Sequence, residues 1–275
     1  MQRKLIQIIR VSPLRCIYVV MSLTIPFYIL FANGFKDSYR FFRKRIGYGA
    51  VKSFFMTFVN EYNLGKVVID RFAAYAGKTF EVETEGKDAF DALCSDDTGF
   101  VMLSSHVGNY ELAGYSLTAS KKINALVYAG ETETVMEGRK DCFSETNIQM
   151  IPIQSDLSHI FAINNALEKG EIVSIHGDRV FGTERTVQSV FFGQKASFPA
   201  GPFLIAVQRG LPVVPVFVMK ESLYKYKAFV FHLPDTKGLS RADAIQALCD
   251  AYAGHLENIV RKYPAQWYNF YDFWA

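Results

Sequence analysis

A histidine and a glutamate stand five residues apart in the stretch Ser104-Ser105-His106-Val107-Gly108-Asn109-Tyr110-Glu111. The apolar segment at residues 100–103 predicts a buried strand before them, and residues 112–120 predict a helix after them. On one continuous helix the two side chains would diverge by roughly 140°, whereas at a strand-to-helix corner they can converge. Gly108 allows such a corner, because glycine tolerates positive φ.

These two residue types suit proton transfer. Histidine exchanges a proton near neutral pH, and a carboxylate near a helix N-terminus stays ionised. We interpret His106 as a general base and Glu111 as the group that orients its imidazole. The chain has no G-x-S-x-G nucleophile elbow, so the base would activate a hydroxyl or amine of the substrate. Taken alone, the spacing also fits a core histidine and a surface glutamate.

A second candidate group is Gly177-Asp178-Arg179, which follows a predicted strand at residues 171–176. An arginine placed there can bind a phosphate or a developing oxyanion. Functional groups of α/β sheets gather at the carboxyl ends of the strands, so this group and His106 are expected at the same edge. A surface Asp-Arg pair in a turn is the alternative.

A third candidate is the stretch at residues 191–202, which we interpret as a glycine- and proline-rich loop that leads into a helix. The N-terminus of that helix can receive an anionic group, and Lys195 in the loop is a substrate-binding candidate. The phenylalanines of the loop can line an apolar pocket or face the core. The other histidines have no metal-ligand spacing and no nucleotide motif is present, so no metal or nucleotide cofactor is expected.

The rest of the chain alternates between strand-like and helix-like segments. This alternation predicts an α/β fold with helices on both faces of a sheet. The predicted strands are residues 79–84, 100–105, 123–128, 148–153, 171–176, 212–219 and 227–233. The predicted helices are residues 46–76, 88–94, 107–120, 134–146, 156–170 (capped by Asp156), 203–208 and 240–262 (capped by Ser240).

The N-terminal 45 residues resemble a membrane anchor, and residues 46–275 form the predicted catalytic domain. No charged residue occurs from Cys16 to Phe35, and basic residues flank this run on both sides. Pro26 can kink a helix in the middle of the run. A helix that inserts from one leaflet therefore competes with a true transmembrane span, and a buried core helix is the third alternative.

The chain is rich in apolar and aromatic residues. Half of the 275 residues are hydrophobic, with 24 Phe and 15 Tyr, which favours a membrane-associated protein or one with a large apolar pocket. The net charge of +3 gives no indication of nucleic-acid binding. The four cysteines form no C-x-x-C pair and fit free thiols in a reducing compartment.

Together these blocks resemble the lysophospholipid acyltransferase-like superfamily, and within it the lauroyl/myristoyl (late) acyltransferases of lipid A biosynthesis. Residues 105–111 are similar to the family's H-x-G-N-[WY]-E form of the H-x4-[DE] motif. Gly177-Asp178-Arg179 is similar to its second block, where many members carry Asp-Gln, so Arg179 is a departure. Residues 192–202 and 213–217 fit the third and fourth blocks. Tyr263-Pro264-Ala265-Gln266-Trp267-Tyr268 is similar to the terminal proline–glutamine–tryptophan signature.

The resemblance implies a glycerolipid acyltransferase-like fold, with a mixed central sheet flanked by helices. It implies transfer of a fatty acyl group from an acyl thioester, usually on acyl carrier protein, to a lipid hydroxyl at the cytoplasmic face of a bacterial inner membrane. His106 and Glu111 would be catalytic. Substrate-binding positions would be Gly108, Asn109, Asp178, Arg179 and Lys195, with Arg179 or backbone N–H groups near Gly108 holding the oxyanion or an acceptor phosphate.

Three other functions stay open at this point. The same chemistry can serve another acceptor, such as an amino-acid-derived lipid, a glycolipid or a hydroxylated polyene. A lipid hydrolase would use His106 to activate water, and would release fatty acid without an acylated acceptor. A non-catalytic membrane-associated binding protein would leave the lipids of the host unchanged.

Overall fold

A seven-stranded mixed sheet forms the centre of the protein in the computed structural model, which describes residues 2–31, 34–117, 120–128, 147–153, 158–180 and 185–274. Its strand order is β1-β9-β8-β2-β5-β3-β4, and only the β8–β9 pair is antiparallel. These strands are β1 (Glu81–Glu85), β2 (Phe100–Ser104), β3 (Ile123–Tyr128), β4 (Ile148–Ile153), β5 (Ile172–His176), β8 (Val213–Lys220) and β9 (Lys225–Val230). The α/β prediction with a mixed sheet is therefore confirmed.

The helices cover both faces of this sheet. Their bounds are α1 (Gln2–Val11), α2 (Leu14–Phe31), α3 (Phe35–Lys44), α4 (Ala50–Tyr75), α5 (Lys87–Ser95), α6 (Glu111–Ser116), α7 (Ser158–Glu168), α8 (Gly201–Arg209) and α9 (Arg241–Lys262). A 3₁₀ turn, Pro264–Gln266, follows α9. Ser240 caps α9 as predicted, because its hydroxyl accepts the backbone N–H of Asp243.

The central strands are buried on both faces because side chains of successive residues point in opposite directions. In β2, Val101 and Leu103 face a core cluster that contains α8, α9 and the C-terminal aromatic residues. Phe100 and Met102 face a second cluster formed with α5 and α6. This double burial explains why β2 reads as a continuous apolar run in the sequence.

Two predictions about local structure are wrong. The stretch at residues 191–202, interpreted as a loop, largely belongs to a hairpin of β6 (Thr186–Phe191) and β7 (Gln194–Pro199). Phe192 and Gly193 both have positive φ, which is the geometry of a tight two-residue hairpin turn. The helix expected from residue 107 begins only at Glu111 with α6, because backbone pairing with other segments holds Val107 and Gly108.

The predicted anchor at residues 1–45 corresponds to three helices, α1 to α3. The structure describes the side chains of only part of this segment. Ile9, Leu14 and Tyr18 pack against Ala73 and Ala76 at the end of α4 and beyond it. In the described part of the chain, no helix has both the length and the apolar character that crossing a bilayer requires. The expected helix at residues 134–146 and the cap at Asp156 lie outside the described residues.

Candidate active site

The loop that carries His106 leaves the carboxyl end of β2 and is held between two other segments. On one side, the N–H of Asn109 donates to the Val218 carbonyl at 2.7 Å. On the other side, the N–H of Gly108 donates to the Gln266 carbonyl at 2.8 Å. Gly108 has φ of 55°, and a Cβ there would overlap the Val218 carbonyl oxygen, so only glycine fits this close approach.

The carboxylate that binds the His106 imidazole is that of Asp178. Its Oδ1 lies 2.8 Å from Nδ1 of His106, and its Oδ2 accepts the backbone N–H of His106 at 2.8 Å. Asp178 is buried, which alone would raise its pKa. The charge and hydrogen bonds of His106, with His176 nearby, outweigh burial and lower the pKa of Asp178 below its ordinary value. This carboxyl therefore stays ionised and fixes the imidazole in one orientation.

Glu111, which was expected from the sequence to orient the His106 imidazole, instead contacts α4. Its Oε1 lies 2.9 Å from Nη1 of Arg71, and its Oε2 accepts a 2.9 Å hydrogen bond from the Tyr75 hydroxyl. Burial alone would lower the pKa of Arg71, but the Glu111 carboxylate raises it. Both Arg71 and Glu111 line the same cavity as His106, and the catalytic role of Glu111 stays a prediction.

A second histidine stands beside the first. The rings of His106 and His176 have centroids 4.6 Å apart, and the ring of Tyr110 lies 4.5 Å from that of His176. Ser104 makes a hydrogen bond to Nδ1 of His176. Because the spacing of His176 matches no motif, no role in the site is expected for it from the sequence.

A cavity of about 330 Å³ opens in front of His106. One wall comes from α4, another from the loop at residues 106–111, and the third from Arg179 and the C-terminal segment. The lining residues are Leu64, Val67, Val68, Arg71, His106, Gly108, Asn109, Tyr110, Glu111, Arg179, Tyr268 and Phe270. A mainly apolar cavity that contains a histidine and two arginines suits a substrate with a hydrocarbon chain and an oxygen-rich reacting end.

Arg179 lies at this cavity as the sequence analysis expected. Its Nη2 donates to the carbonyl of Tyr268 at 2.7 Å, and its guanidinium carbon lies 5.9 Å from the ring centre of Tyr271. Three backbone N–H groups near Gly108 have acceptors within the protein. The N–H groups of His106, Gly108 and Asn109 already donate to Asp178, Gln266 and Val218.

Asn109 is 2% exposed, and its side chain adjoins the Tyr226 hydroxyl. Asn109 lines the cavity, and its Nδ2 has no hydrogen-bond partner among the described residues. Lys195 does not line this cavity: it is exposed on β7 and pairs with Val190 in the hairpin. Phe191 and Phe198 of the same hairpin are core residues, which is the second of the two alternatives for the phenylalanines.

The described residues contain no group of three or more His, Cys, Asp or Glu side chains arranged to hold a metal ion. The cysteines Cys16, Cys94 and Cys249 are free thiols.

Comparison with known proteins identifies the family. A family model described as "Bacterial lipid A biosynthesis acyltransferase" matches residues 51–275. The chain belongs to this family of lipid A biosynthesis acyltransferases. The matched region contains α4 with Arg71, the His106 loop, Gly177-Asp178-Arg179 and the C-terminal segment, so the acyltransferase family region includes every wall of the cavity.

Curated relatives are more distant. A protein named phosphatidylinositol mannoside acyltransferase from Mycobacterium tuberculosis (strain ATCC 25618 / H37Rv) is 22% identical over 191 residues, which cover 69% of this chain. A protein of the same name from strain CDC 1551 / Oshkosh matches to the same extent. The match covers 58% of the length of each relative.

Among solved structures, the 1-acyl-sn-glycerophosphate (LPA) acyltransferase PlsC from Thermotoga maritima aligns with 94% of this chain and all of its own. The sequence identity is 16% and the TM-score is 0.42, so this similarity carries no argument about the site.

Proposed function

We propose that the protein transfers a fatty acyl group from an acyl thioester, carried by acyl carrier protein or coenzyme A, to a hydroxyl group of a lipid A precursor. The observation that carries the proposal is the hydrogen bond between Nδ1 of His106 and the buried carboxylate of Asp178, at the wall of an apolar cavity. Membership in the acyltransferase family supports the reaction class.

His106 acts as the general base in this reaction. Because Nδ1 is bound to Asp178, Nε2 is the ring nitrogen that accepts the proton of the acceptor hydroxyl. The acceptor oxygen then bonds to the thioester carbonyl carbon, and the carbonyl π electrons move onto the carbonyl oxygen. When the tetrahedral intermediate collapses, the C–S bond breaks and the leaving thiolate takes the proton from the imidazolium. Asp178 stabilises the imidazolium throughout.

Positive charge at the cavity comes from Arg71 and Arg179. A guanidinium group can hold the developing oxyanion or a phosphate of the acceptor through charge-assisted hydrogen bonds. Asn109 adds a neutral donor on the same side as His106. Glu111 fixes Arg71 in place, and Gly108 lets the backbone come close enough to Val218 to form the cavity wall.

The acyl chain of the donor lies along the apolar wall of α4. Leu64, Val67 and Val68 provide this wall, and Phe270 faces the cavity from the C-terminal segment. Burying each methylene group of a chain against such residues contributes about 0.8 kcal/mol, which favours substrates with long acyl groups. Catalysis at this site uses no redox or metal cofactor.

The protein works at the cytoplasmic face of the inner membrane, where acyl thioesters and lipid precursors meet. Exposed apolar residues support membrane contact: Val51 and Phe55 on α4 are 71% and 62% exposed, and Val19, Val20 and Leu23 are exposed on α2. Exposed basic residues of α3, including Lys36, Arg43 and Lys44, suit anionic lipid headgroups. The segment at residues 1–45 inserts from one leaflet and anchors the chain.

Vesicle flotation tests the membrane surface. The double substitution Val51→Ser and Phe55→Ser is expected to lower binding to vesicles that contain anionic phospholipid by about ten-fold, because it removes apolar area from contact with lipid. Phe161→Ser is the matched control, since Phe161 is 76% exposed on α7. Equal losses in both variants, or no loss in the α4 variant, would contradict this surface.

A glycolipid of the phosphatidylinositol mannoside type is the alternative acceptor. It is favoured by the printed name of the mycobacterial relatives, which share 22% identity with this chain over 191 residues. The chemistry at His106 would be the same, because both acceptors present a hydroxyl group on a phosphate-bearing lipid.

Lipid mass spectrometry of the host tests the function and names the acceptor. A deletion strain is compared with the same strain carrying the wild-type chain or the His106→Ala variant. The proposal predicts that one lipid class loses one acyl chain in the deletion, and that only the wild type restores it. Restoration by His106→Ala, or no change in any lipid, would overturn the proposal. Release of free fatty acid without an acylated lipid would indicate a hydrolase.

A further inference from the structure

The C-terminal Pro-Ala-Gln-Trp-Tyr motif has no chemical role in the proposed reaction, yet it lies directly against the loop at residues 106–111, which we call the catalytic loop. The N–H of Tyr268 donates to the carbonyl of His106 at 2.9 Å. Trp267 pairs with Val107 in an antiparallel bridge, and Gly108 donates to the carbonyl of Gln266. The catalytic loop therefore has residues 266–268 along one edge and β8 along the other.

The side chain of Gln266 joins these two edges. Its Oε1 accepts the backbone N–H of Lys220 at 2.9 Å, and its Nε2 donates to the backbone carbonyl of Lys220 at 2.8 Å. The side-chain amide of Gln266 thus forms the same two hydrogen bonds with Lys220, the last residue of β8, that a backbone peptide group of a neighbouring strand would form. A glutamine is suited to this because its side chain carries both a donor and an acceptor, whereas a glutamate of the same size only accepts.

Other contacts tie residues 265–268 to the walls of the cavity. The side-chain amides of Asn60 and Asn63, both on α4, donate to the carbonyls of Trp267 and Ala265 at 3.0 Å each. Arg179 donates to the carbonyl of Tyr268. We call residues 265–268 the C-terminal clamp, because they bind α4, β8, the catalytic loop and Arg179 at once.

We propose that Gln266 is a positioning residue for acyl transfer, acting through the C-terminal clamp on the backbone of His106 and on the guanidinium of Arg179. The inference rests on the proposed function. Gln266 itself does not line the described cavity, so it acts through these two residues. Displacement of the base or of the charged group by about 1 Å is enough to lower the rate by about 100-fold.

The test compares Gln266→Glu with Gln246→Glu, a matched substitution. Gln246 also donates from Nε2 to a backbone carbonyl, that of Gln188 at 2.9 Å, but it lies on the exposed side of α9. For Gln266→Glu we expect kcat to fall about 10- to 100-fold, with KM for both substrates within about three-fold of wild type. For Gln246→Glu we expect both constants to stay within about two-fold.

Amide hydrogen exchange provides a second readout that a loss of global stability would not reproduce. The Gly108 and Tyr268 amides are expected to be protected in the wild-type protein, and to exchange at least ten-fold faster in Gln266→Glu while the amides of β2 keep their protection. Uniformly faster exchange across β2 would assign Gln266 a structural role only and overturn the proposal.

Two further outcomes would overturn the proposal. One is kcat of Gln266→Glu within two-fold of wild type, and the other is fast exchange of the Gly108 amide in the wild type. If Gln266→Glu does not fold, the exchange rate of the Gly108 amide in the wild-type protein decides whether the proposal stands.

Hydrogen exchange can be measured without any enzymatic activity. If the wild-type protein proves to have no acyltransferase activity, the proposed function fails, but the contacts of the C-terminal clamp are still tested.

Discussion

Two buried aspartates in this protein have opposite electrostatics. Asp178 and Asp70 are both at most 1% exposed. Burial raises the pKa of each, but in Asp178 the neighbouring His106 and His176 reverse the shift, and the pKa falls. In Asp70, burial outweighs the hydrogen bonds and the charge of Lys220, and the pKa stays above its ordinary value.

The groups that bind the Asp70 carboxylate are buried in the protein interior. Its carboxylate accepts hydrogen bonds from the hydroxyls of Tyr18 and Tyr226 and from Nζ of Lys220, whose side chain is 8% exposed. Tyr18 belongs to α2, and the other two partners belong to β9 and β8. This cluster therefore connects α2 and α4 to the neighbouring strands β8 and β9.

The difference shows that burial and a shifted pKa do not by themselves mark a catalytic carboxylate. Asp178 is distinguished by its partner, because His106 lines a cavity and presents its second nitrogen to a substrate. Neither Asp70 nor a partner of Asp70 lines that cavity. We therefore expect changes at Asp178 to affect rate and changes at Asp70 to affect stability.

Asp178→Asn is expected to have the largest effect on activity. The amide keeps the size of the side chain but no longer stabilises the imidazolium or selects the tautomer, so kcat should fall about 10²–10⁴-fold. Steady-state acyl transfer, measured well below the melting temperature, gives the value. A fall of less than five-fold would remove Asp178 from the catalytic pair.

Asp70→Asn is expected to destabilise the protein while leaving the chemistry intact. The variant leaves the Lys220 ammonium group buried without an anion, at a cost of about 3–5 kcal/mol in the free energy of unfolding. Denaturant titration measures this loss, and kcat of the folded fraction should stay within about three-fold of wild type. The double variant Asp70→Asn, Lys220→Met should recover part of the stability; if it is no more stable than Asp70→Asn, the buried charge is not the cause.

Glu111→Gln separates the two carboxylates that the sequence places near His106. Because Glu111 binds Arg71 and Tyr75, the loss of its charge loosens Arg71 and should lower kcat/KM about ten-fold, less than Asp178→Asn. Tyr75→Phe removes one hydrogen bond to the same carboxylate and should cost about three-fold or less. A larger effect for Glu111→Gln than for Asp178→Asn would give Glu111 the role of orienting the imidazole.

Glu61 on α4 is a third buried carboxyl group, and it tests burial without a cation. Burial raises its pKa to about 6 from an ordinary 4.5, so the native state holds this proton more tightly than the unfolded state. The ionised form therefore destabilises the protein above pH 6, and the effect vanishes below pH 4.5.

Glu61→Gln should raise the free energy of unfolding by about 1 kcal/mol at neutral pH, after allowance for solvent screening. Denaturant titrations across this pH range measure the difference, which should shrink to zero as the pH is lowered. A constant difference at all pH values would mean that the substitution acts through packing.

Much of the fold follows from the sequence, because strand and helix patterns alternate and the central strands are apolar along most of their length. The register of β2 and β5 also explains the site. Ser104 pairs with His176, so His106 and Asp178 each lie two residues beyond the same rung of a parallel pair. The pairing of His106 with Asp178 could thus have been found from the equal offset of the two residues from their strand ends.

Other parts of the site have no local signal in the sequence. Arg71 lies 40 residues before Glu111, on a helix whose apolar periodicity says nothing about which polar residue faces the cavity. The H-x4-E spacing favours Glu111 as the partner of the imidazole, because that spacing reflects only proximity along the chain. Lys195 was selected from a stretch interpreted as a loop, and the hairpin instead exposes it to solvent.

The most direct test of the central claim is the tautomer of His106, measured by nitrogen NMR on protein with labelled histidine at a pH where the ring is neutral. The five histidines are assigned by substitution, and His106→Asn identifies the relevant signals. We predict the proton on Nδ1 and the lone pair on Nε2 in the wild type and in Asp70→Asn, with loss of this preference in Asp178→Asn. A wild-type ring with its proton on Nε2 would contradict the assignment of His106 as the base that faces the cavity.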